Sequence, residues 1–531
     1  MASLQNRLKS LVSDTMIYGV FTIVGRFLSF MLTPMYTNYL TMEEMGSIGY
    51  IFPLIAFVNL FYCFGIDSAF MRFFKEGDLD NNRKVFSHAY TFIMLIGGIF
   101  TFFLMFNAEA VAAAISSSSR IDPNLIRIAV LIPFLDSLMV VPYGLLRMTR
   151  HAKKFAITRF ILIIIAVVLN FVFIVNLDFG PTGAFAAQLI ATTIGVIILL
   201  PEVIKHLKFT FDKKLFKSML MFALPTLPAT LSGMVLQVAD RPILELLAND
   251  RAVAMYTVNY RLGIPMMIFV AIFEYAWKPF YLNRHKDKDA KQLFSRIMTY
   301  FTLMCASVFL TTGFLMEFMV RAPGIGGRFI NPEYWSGMGI IPIILAGYYF
   351  NGVFNNFAAG FHIEKKTKYL PIAVGSAAIV NIALNFILIP IIGYWGAAWA
   401  TLSAYIVSAV TLYFFARKVY PIDYEWRRIS VIIFSTAAVF SLVNYFGDIF
   451  LYIVSAFVYI PEQLSAIGEY SKLMLRIASV DMNVDALANI PLILSFAAKV
   501  LAVGLFLILL KLLGFFSGQE IAMIKKLFKR A

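Results

Sequence analysis

The chain has 531 residues, of which 60% are hydrophobic and only 14% are charged. Soluble proteins average roughly 25% charged residues, and disorder requires low hydrophobicity. This composition therefore excludes a water-soluble globular protein and a disordered chain. The net charge of +15 has two explanations, a nucleic-acid partner or the basic cytoplasmic loops of a membrane protein. The positions of the basic residues decide between them.

Long apolar segments predict fourteen transmembrane helices, because about 20 apolar residues cross the ~30 Å hydrocarbon layer. These spans lie near 14–39, 45–70, 86–107, 123–146, 155–177, 181–204, 217–247, 252–280, 293–319, 335–360, 368–390, 394–416, 429–447 and 490–511. With a cytoplasmic N-terminus, the inner segments carry 34 of the 45 Lys and Arg residues and the outer loops carry 7. This alternation predicts that both termini are cytoplasmic, and it accounts for the basic charge without a nucleic-acid partner.

The segments outside the spans add little chemistry. The first 13 residues are polar and no cleavage site precedes span 1, so we expect that span to be retained as a signal anchor. Cys63 and Cys305 form no metal motif, and neither a metal nor a cofactor is expected. The segment 448–489 contains an apolar run too short to cross the membrane. It predicts either an amphipathic helix on the outer surface or an ordered loop.

An internal repeat relates two parts of the chain. The segment beginning at Lys153 and the segment beginning at Lys365 both open with Lys-Lys, both contain Leu-Asn-Phe, and both turn at a glycine. The matched spans are the fifth and the eleventh, which face the same way. We therefore predict two parallel six-helix bundles, 1–210 and 211–420, with two extra spans in 421–531. Such halves usually hold a substrate between them.

Four cations lie inside the predicted spans, and each costs roughly 2.5–3.5 kcal/mol at a helix centre. They are Arg26, Arg241, Arg261 and Lys499. Residues of this kind normally face a cavity or an acid partner. Arg241 has Asp240 beside it as an alternative ion-pair partner, Arg261 could pair with an acid on a neighbouring helix, and Lys499 fits a substrate contact or a structural ion pair equally well.

Polar side chains accompany these cations. On the helix faces of the arginines lie Thr22, Ser29, Thr33, Gln237 and Thr257. The intramembrane acids expected to act as charge partners or as an ion-coupling site are Asp136, Asp240 and Glu274. The amides of Asn59, Asn351 and Asn355 suit sugar binding and hydrogen bonding between helices equally well. A cavity lined by arginines and hydroxyls predicts an anionic, hydroxyl-rich substrate, because guanidinium groups bind phosphate in bidentate fashion.

Span 1 (VGRFLSFMLTPMYTNYLTMEEMG), span 7 (ALPTLPATLSGMVLQVADRPIL), the two Leu-Asn-Phe repeats and the 6+6+2 plan resemble one family of membrane proteins. This family comprises the polysaccharide-biosynthesis flippases of the O-antigen/oligosaccharide type. They belong to the multidrug/oligosaccharidyl-lipid/polysaccharide exporter superfamily, which also contains the lipid II flippase. The resemblance covers nearly the whole chain, and no single motif is diagnostic.

The resemblance implies an all-α polytopic membrane protein that is not an enzyme. It would flip an undecaprenyl-diphosphate-linked oligosaccharide from the inner to the outer leaflet of the bacterial cytoplasmic membrane by alternating access. Arg26, Arg241 and Arg261 would hold the diphosphate, with Lys499 as a further candidate, and spans 13 and 14 would accommodate the lipid tail. Its partners would be membrane lipids and a downstream polysaccharide polymerase or ligase.

Three alternatives remain open. A lipid II flippase for peptidoglycan would differ only in its substrate. A multidrug cation antiporter would need acids in the cavity, whereas span 1 has an arginine and no acid after Asp14. A membrane glycosyltransferase or acyltransferase would normally show acids or a histidine in a sizeable loop or within a span. No histidine lies deep in a predicted span, and the long predicted outer loop, 448–489, has no acid–histidine pairing.

Overall fold

The computed structural model describes residues 23–115, 121–208, 210–444 and 499–515. Residues 1–22, which include the first part of the predicted span 1 and Thr22, and the segment 448–489 lie outside the described residues. Within the described ranges the protein is helical except for turns and one small hairpin, whose strands are β1 (Pro323–Gly324) and β2 (Gly327–Arg328).

The first half of the helices lies in the following chain order: α1 (23–39), α2 (Met42–Cys63), α3 (Ile66–Phe73), α4 (Leu79–Phe106), α5 (Ala108–Ile115), α6 (Pro123–Met148), α7 (Ala152–Asn170), α8 (Gly180–His206), α9 (Lys213–Ala223) and α10 (Leu227–Val238). The remaining helices are α11 (Asp240–Leu247), α12 (Asp250–Arg261), α13 (Ile264–Arg284), α14 (Ala290–Arg321), α15 (Ile341–Ile363), α16 (Tyr369–Ile392), α17 (Tyr394–Val419), α18 (Trp426–Asn444) and α19 (499–512). A π-helical turn, Phe171–Asn176, extends α7, and two 3-10 segments occupy Leu224–Thr226 and Pro332–Ile340.

Ten of the described helices are long and apolar enough to cross a membrane, or up to twelve if two bent pairs each form one span. One such pair is α12 and α13, which are inclined by 49°. The prediction of an all-α polytopic membrane protein is confirmed. The number fourteen stays a prediction, because the structure describes spans 1 and 14 only in part.

Local sequence signals explain where several helices begin. Thr41 forms a capping box with Glu44 at the start of α2. The Thr41 hydroxyl accepts a hydrogen bond from the Glu44 backbone N–H, and the Glu44 carboxylate accepts one from the Thr41 backbone N–H. Asp122 caps α6 with a proline directly after it, and Asn249 caps α12 by accepting from the Ala252 backbone. These caps satisfy backbone donors that a helix leaves unpaired.

The chain forms two compact units. The first contains Met1–Lys286 and Val320–Pro421, and the second contains Asp287–Met319 and Ile422–Ala531. The core of the second unit joins α14, α18 and α19 through buried side chains such as Leu310, Val439 and Phe506. The predicted boundaries at 210 and 420, which divide the chain into two bundles and two extra spans, stay a prediction.

The two Leu-Asn-Phe segments adopt the same local geometry. Asn170 near the end of α7 and Asn385 in α16 are both buried, and each donates its side-chain amide to the carbonyl four residues earlier, at 2.7 and 2.9 Å. The glycine that follows each segment sits tightly against the preceding helix. A Cβ at Gly183 would lie 3.0 Å from the Phe173 side chain, and one at Gly396 would lie 2.5 Å from backbone. The repeat thus places an amide and a close helix turn at corresponding positions.

Candidate functional site

A cavity of about 790 Å³ lies within the first unit, in the size range of small-molecule sites. Its walls come from α1, α2, α6, α7 and α8, with contributions from α12 and α13. The charged and polar side chains that line it are Arg26, Ser29, Tyr36, Asp136, Tyr143, Arg159, Asn170, Gln188, Thr192 and Arg261. The sequence predicted a site between two halves. The observed cavity is formed mainly by the first predicted half, and the second contributes Arg261 and two apolar residues.

One face of α1 forms the first wall. Gly25, Arg26, Ser29, Leu32 and Tyr36 line the cavity at the spacing that brings residues to one side of a helix. The Arg26 side chain is exposed, and the Ser29 hydroxyl donates to the Gly25 carbonyl at 3.0 Å. This face therefore presents a cation beside a hydroxyl, as the stripe in the sequence predicts.

Arg261 enters the cavity from the last turn of α12. Cations are favoured at this end of a helix, where the macrodipole is negative. Its Nη1 donates to Thr33 Oγ1 at 3.4 Å, and Thr33 is fully buried. A neutral hydroxyl orients the guanidinium without cancelling its charge, so Arg261 can present that charge to an anion.

Arg159 on α7 is the third cation of the cavity. Its guanidinium carbon lies 4.5 Å from the centre of the Tyr143 ring and 5.7 Å from that of Phe155. Such stacking holds a cation in place and leaves its charge intact. The carboxylate of Asp136 is within electrostatic range of Arg159 and lies beside Thr192.

Amides and hydroxyls complete the wall formed by α7 and α8. Tyr36 donates its hydroxyl to Asn170 Oδ1 at 2.7 Å, which joins α1 to α7. Gln188 Nε2 donates to Thr192 Oγ1 at 3.3 Å, and Thr192 donates to the Gln188 carbonyl at 2.8 Å. Groups that both donate and accept suit a ligand rich in hydroxyls.

The structure brings together only some of the predicted site residues. The cavity lining includes Arg26, Ser29, Asp136 and Arg261. Thr33 is not part of the lining, but its hydroxyl accepts a hydrogen bond from Arg261. Among the described residues, the cavity lining does not include the other predicted positions. These are Asn59, Gln237, Asp240, Arg241, Thr257, Glu274, Asn351, Asn355 and Lys499.

Arg241 lies in a buried cluster at the start of α11. Its Nη1 is 3.0 Å from Asp240 Oδ1 and also donates to the Gln237 carbonyl at 3.0 Å. The guanidinium stacks 4.6 Å from the Tyr260 ring centre, and Asp240 accepts a short hydrogen bond from Tyr256. Arg241 is 8% exposed and Asp240 is 2% exposed. The adjacent-residue ion pair, one of the two alternatives from the sequence, is the arrangement present here.

The other predicted residues have local partners. In the second unit, Lys499 Nζ lies 2.6 Å from Glu317 Oε2, which is the structural ion pair considered from the sequence. In the first unit, Asn355 donates to Glu274 Oε2 at 3.1 Å, and Cys63 Sγ contacts the Asn59 amide oxygen at 3.9 Å. Thr257 is buried against Gly49 of α2.

The sequence analysis did not identify Arg159 as a site residue. Arg159 lies near the start of span 5, and it was therefore counted among the basic residues of the cytoplasmic segments. A signal was present in the spacing. Arg159 and Asn170 are eleven residues apart, which is about three helical turns, and the liners between them, Ile163 and Ala166, fall on the same face. Because polar side chains within a membrane avoid lipid, a helix face with a polar residue at each end is expected to turn toward the protein interior or a cavity.

Comparisons with solved structures agree with this architecture. The lipid II flippase MurJ in an inward closed conformation has a TM-score of 0.69 and 17% sequence identity, covering 92% of this chain and 98% of that one. A multidrug resistance MATE family transporter of the MOP superfamily, in its inward-facing conformation, has a TM-score of 0.59 and 14% identity, covering 77% of this chain and 95% of that one. At these identities the likeness shows the fold.

Sequence comparisons lead to the family. An uncharacterized membrane protein of Methanocaldococcus jannaschii is 20% identical over 449 residues, which cover 78% of this chain and 85% of the relative. The family model described as "Polysaccharide biosynthesis protein" matches residues 11–281, about half of the chain. This match includes α1, α7 and α12, the helices that supply the three arginines of the cavity. The chain is a multi-pass membrane protein that belongs to the polysaccharide biosynthesis family.

Proposed function

We propose that the protein is a flippase for an undecaprenyl-diphosphate-linked oligosaccharide in the bacterial cytoplasmic membrane. It moves this lipid from the inner to the outer leaflet by alternating access, for surface polysaccharide such as O-antigen in lipopolysaccharide. The observation that carries the proposal is the cavity whose described lining contains three arginines, Arg26, Arg159 and Arg261, and one carboxylate, Asp136.

The chemistry of the cavity supports an anionic glycolipid headgroup. Guanidinium groups bind phosphate oxygens in pairs of hydrogen bonds, and arginine is preferred where such planar recognition matters. The amides of Asn170 and Gln188 and the hydroxyl of Thr192 offer donors and acceptors to sugar hydroxyls. A doubly charged anionic headgroup gains about 4.6 kcal/mol when it moves outward across a potential of 100 mV, inside negative, so export is electrically downhill.

Two of the predicted diphosphate ligands have other partners in this structure. Arg241 is bound by Asp240, and Lys499 by Glu317. Their contact with substrate stays a prediction that requires another conformation. Spans 13 and 14 as a tail site, the cytoplasmic termini, and a downstream polymerase or ligase also stay predictions.

The alternatives differ in what the cavity must bind. A lipid II flippase would use the same cationic cavity, and the fold likeness to MurJ keeps it as the second candidate. A cation antiporter fits less well, because three arginines and one acid repel a cationic drug. The solved neighbours are a flippase and transporters rather than enzymes, which argues against a glycosyltransferase or acyltransferase.

The proposal is tested by deletion and complementation. Cells lacking the protein should accumulate an undecaprenyl-diphosphate-linked sugar on the inner leaflet, and the wild-type chain should restore its export. Arg26→Ala and Arg261→Ala should fail to restore export at normal membrane levels. Arg251→Ala is the matched control, because Arg251 pairs with Glu43 at 3.1 Å and does not line the cavity. Full export by both cavity variants, or accumulation of lipid II instead, would overturn the proposal.

A further inference from the structure

The charges of the cavity can be counted from the described residues. Its lining contains three guanidinium groups, Arg26, Arg159 and Arg261, and one carboxylate, Asp136. The cavity lining therefore carries a net charge of about +2 when all four groups are ionised.

Other charged groups lie behind the lining. Arg241, within electrostatic range of Arg261, is paired with Asp240 at 3.0 Å. Glu274 lies within range of both Lys278 and Arg26, and Asp67, like Asp136, lies within range of Cys63. The charge count therefore refers to the described lining alone.

A diphosphate esterified at both ends carries a charge of −2. This charge is equal in size and opposite in sign to that of the cavity lining. An additional acidic group on the sugar would therefore have no cation in the lining to pair with. Because the added negative charge would lie near the Asp136 carboxylate with no cation left to pair with it, the balance restricts the sugars as well as the linkage.

Building on the proposed function, we propose that Asp136 is a specificity-determining residue that restricts the flippase to lipid-linked oligosaccharides whose first sugars are uncharged. The carboxylate of Asp136 repels a uronic acid or a phosphorylated sugar and accepts hydrogen bonds from neutral hydroxyls.

The position of Asp136 supports this role. It lines the same cavity as Gln188 and Thr192, and Thr192 lies beside it. Arg159, stacked on Tyr143, lies on the neighbouring helix. A diphosphate bound by the arginines would thus place the attached sugar beside one carboxylate and two neutral polar groups.

The test compares two ligands on the purified full-length protein in detergent at low ionic strength. One is undecaprenyl diphosphate bearing a neutral disaccharide, and the other is the same lipid with a uronic acid as its first sugar. The variants are Asp136→Asn, Asp136→Glu and Asp67→Asn. The last is the control, because Asp67 lies on α3 outside the cavity lining.

Wild type should bind the neutral lipid at least about tenfold more tightly, equivalent to ~1.4 kcal/mol. Asp136→Asn should reduce this ratio to about threefold or less, while Asp136→Glu and Asp67→Asn should keep it. If Asp136→Asn does not fold, Gln188→Glu adds a carboxylate to the same wall and should increase the ratio.

The possible failures are distinguishable. Equal binding of both lipids by wild type, or a ratio unaffected by Asp136→Asn, overturns the inference about sugar charge and leaves the proposed function standing. If neither diphosphate lipid binds wild type more tightly than undecaprenol, the proposed function itself fails, and the inference fails with it.

Discussion

Helices α2 and α12 approach each other so closely that a single methyl group should separate them. Gly46 faces the backbone of Asp250, and Gly49 faces Val253 and Thr257. Glycine permits such contact because it has no Cβ. Along α2, these two glycines come shortly before Phe52, which lines the cavity. The contact between the helices lies at the predicted outer side of the membrane. We therefore expect Gly46→Ala to loosen closure of the cavity on that side.

The size of the effect follows from the geometry. A Cβ at Gly46 would lie 2.3 Å from the Asp250 carbonyl oxygen, and real Cβ atoms essentially never approach another atom closer than 3.0 Å. The helices must therefore separate by about 0.7 Å, since the obstacle is backbone and not a flexible side chain. Overpacking of this kind costs ~1–3 kcal/mol in the closed state. Because α2 is helical whether the contact is closed or open, the better helix propensity of alanine does not alter this difference. The equilibrium should therefore shift toward opening by about 5- to 150-fold.

Accessibility of the cavity measures this shift. Ser29→Cys, in a chain whose Cys63 and Cys305 are replaced by serine, reports on the cavity through a membrane-impermeant maleimide added from outside. Gly46→Ala should accelerate labelling. Gly233→Ala on α10 should not, because a Cβ there meets nothing within 4 Å. Equal labelling rates for Gly46→Ala and Gly233→Ala, at equal membrane levels, would refute the reasoning.

Three further substitutions separate ligand-binding cations from structural ones. Arg261→Ala should weaken binding of a diphosphate lipid at least about tenfold. The melting temperature should change little, because the substitution removes a hydrogen bond to a neutral hydroxyl, that of Thr33, and leaves no buried charge unpaired. Arg241→Ala should destabilise the protein by about 3–5 kcal/mol, seen as a lowered melting temperature, since Asp240 is left buried and unpaired. Adding Asp240→Asn should restore part of the loss. Lys499→Ala should also lower the melting temperature, and Glu317→Gln in the same chain should recover it. A stable Arg241→Ala protein with impaired lipid binding would contradict this division.

The helices could be predicted from the sequence because their signals are local. Apolar length and the alternation of basic loops locate most spans, and the structure places helices at nearly the same bounds. Span 7 departs from the prediction of one continuous helix over 217–247. Pro225 and Pro228 remove backbone donors there, and the segment divides into α9, a 3-10 turn, α10 and α11.

The site was less predictable because its composition depends on tertiary contacts. Hydropathy gives Arg241 and Arg261 the same insertion cost, so it could not decide which of them faces a ligand. The sequence assigned no insertion cost to Arg159. Its position near the start of span 5 placed it among the basic residues on the cytoplasmic side of the membrane. Asp240 precedes Arg241 in the sequence, but the tyrosine that bonds to Asp240, Tyr256, comes from another helix and becomes its neighbour only in the folded chain.

The contrast between Arg241 and Arg261 indicates why the cavity suits transport rather than permanent assembly. Arg241 is neutralised by an acid on its own helix, Asp240. Arg261 is oriented by a hydroxyl, which leaves its charge available, and Arg159 is stacked on an aromatic ring with Asp136 within electrostatic range. A diphosphate that enters can therefore bind these charges without breaking the buried Arg241–Asp240 pair, and a diphosphate that leaves returns them to water. Binding sites that fill and empty repeatedly need this arrangement, because an internal acid partner would compete with the ligand at every cycle.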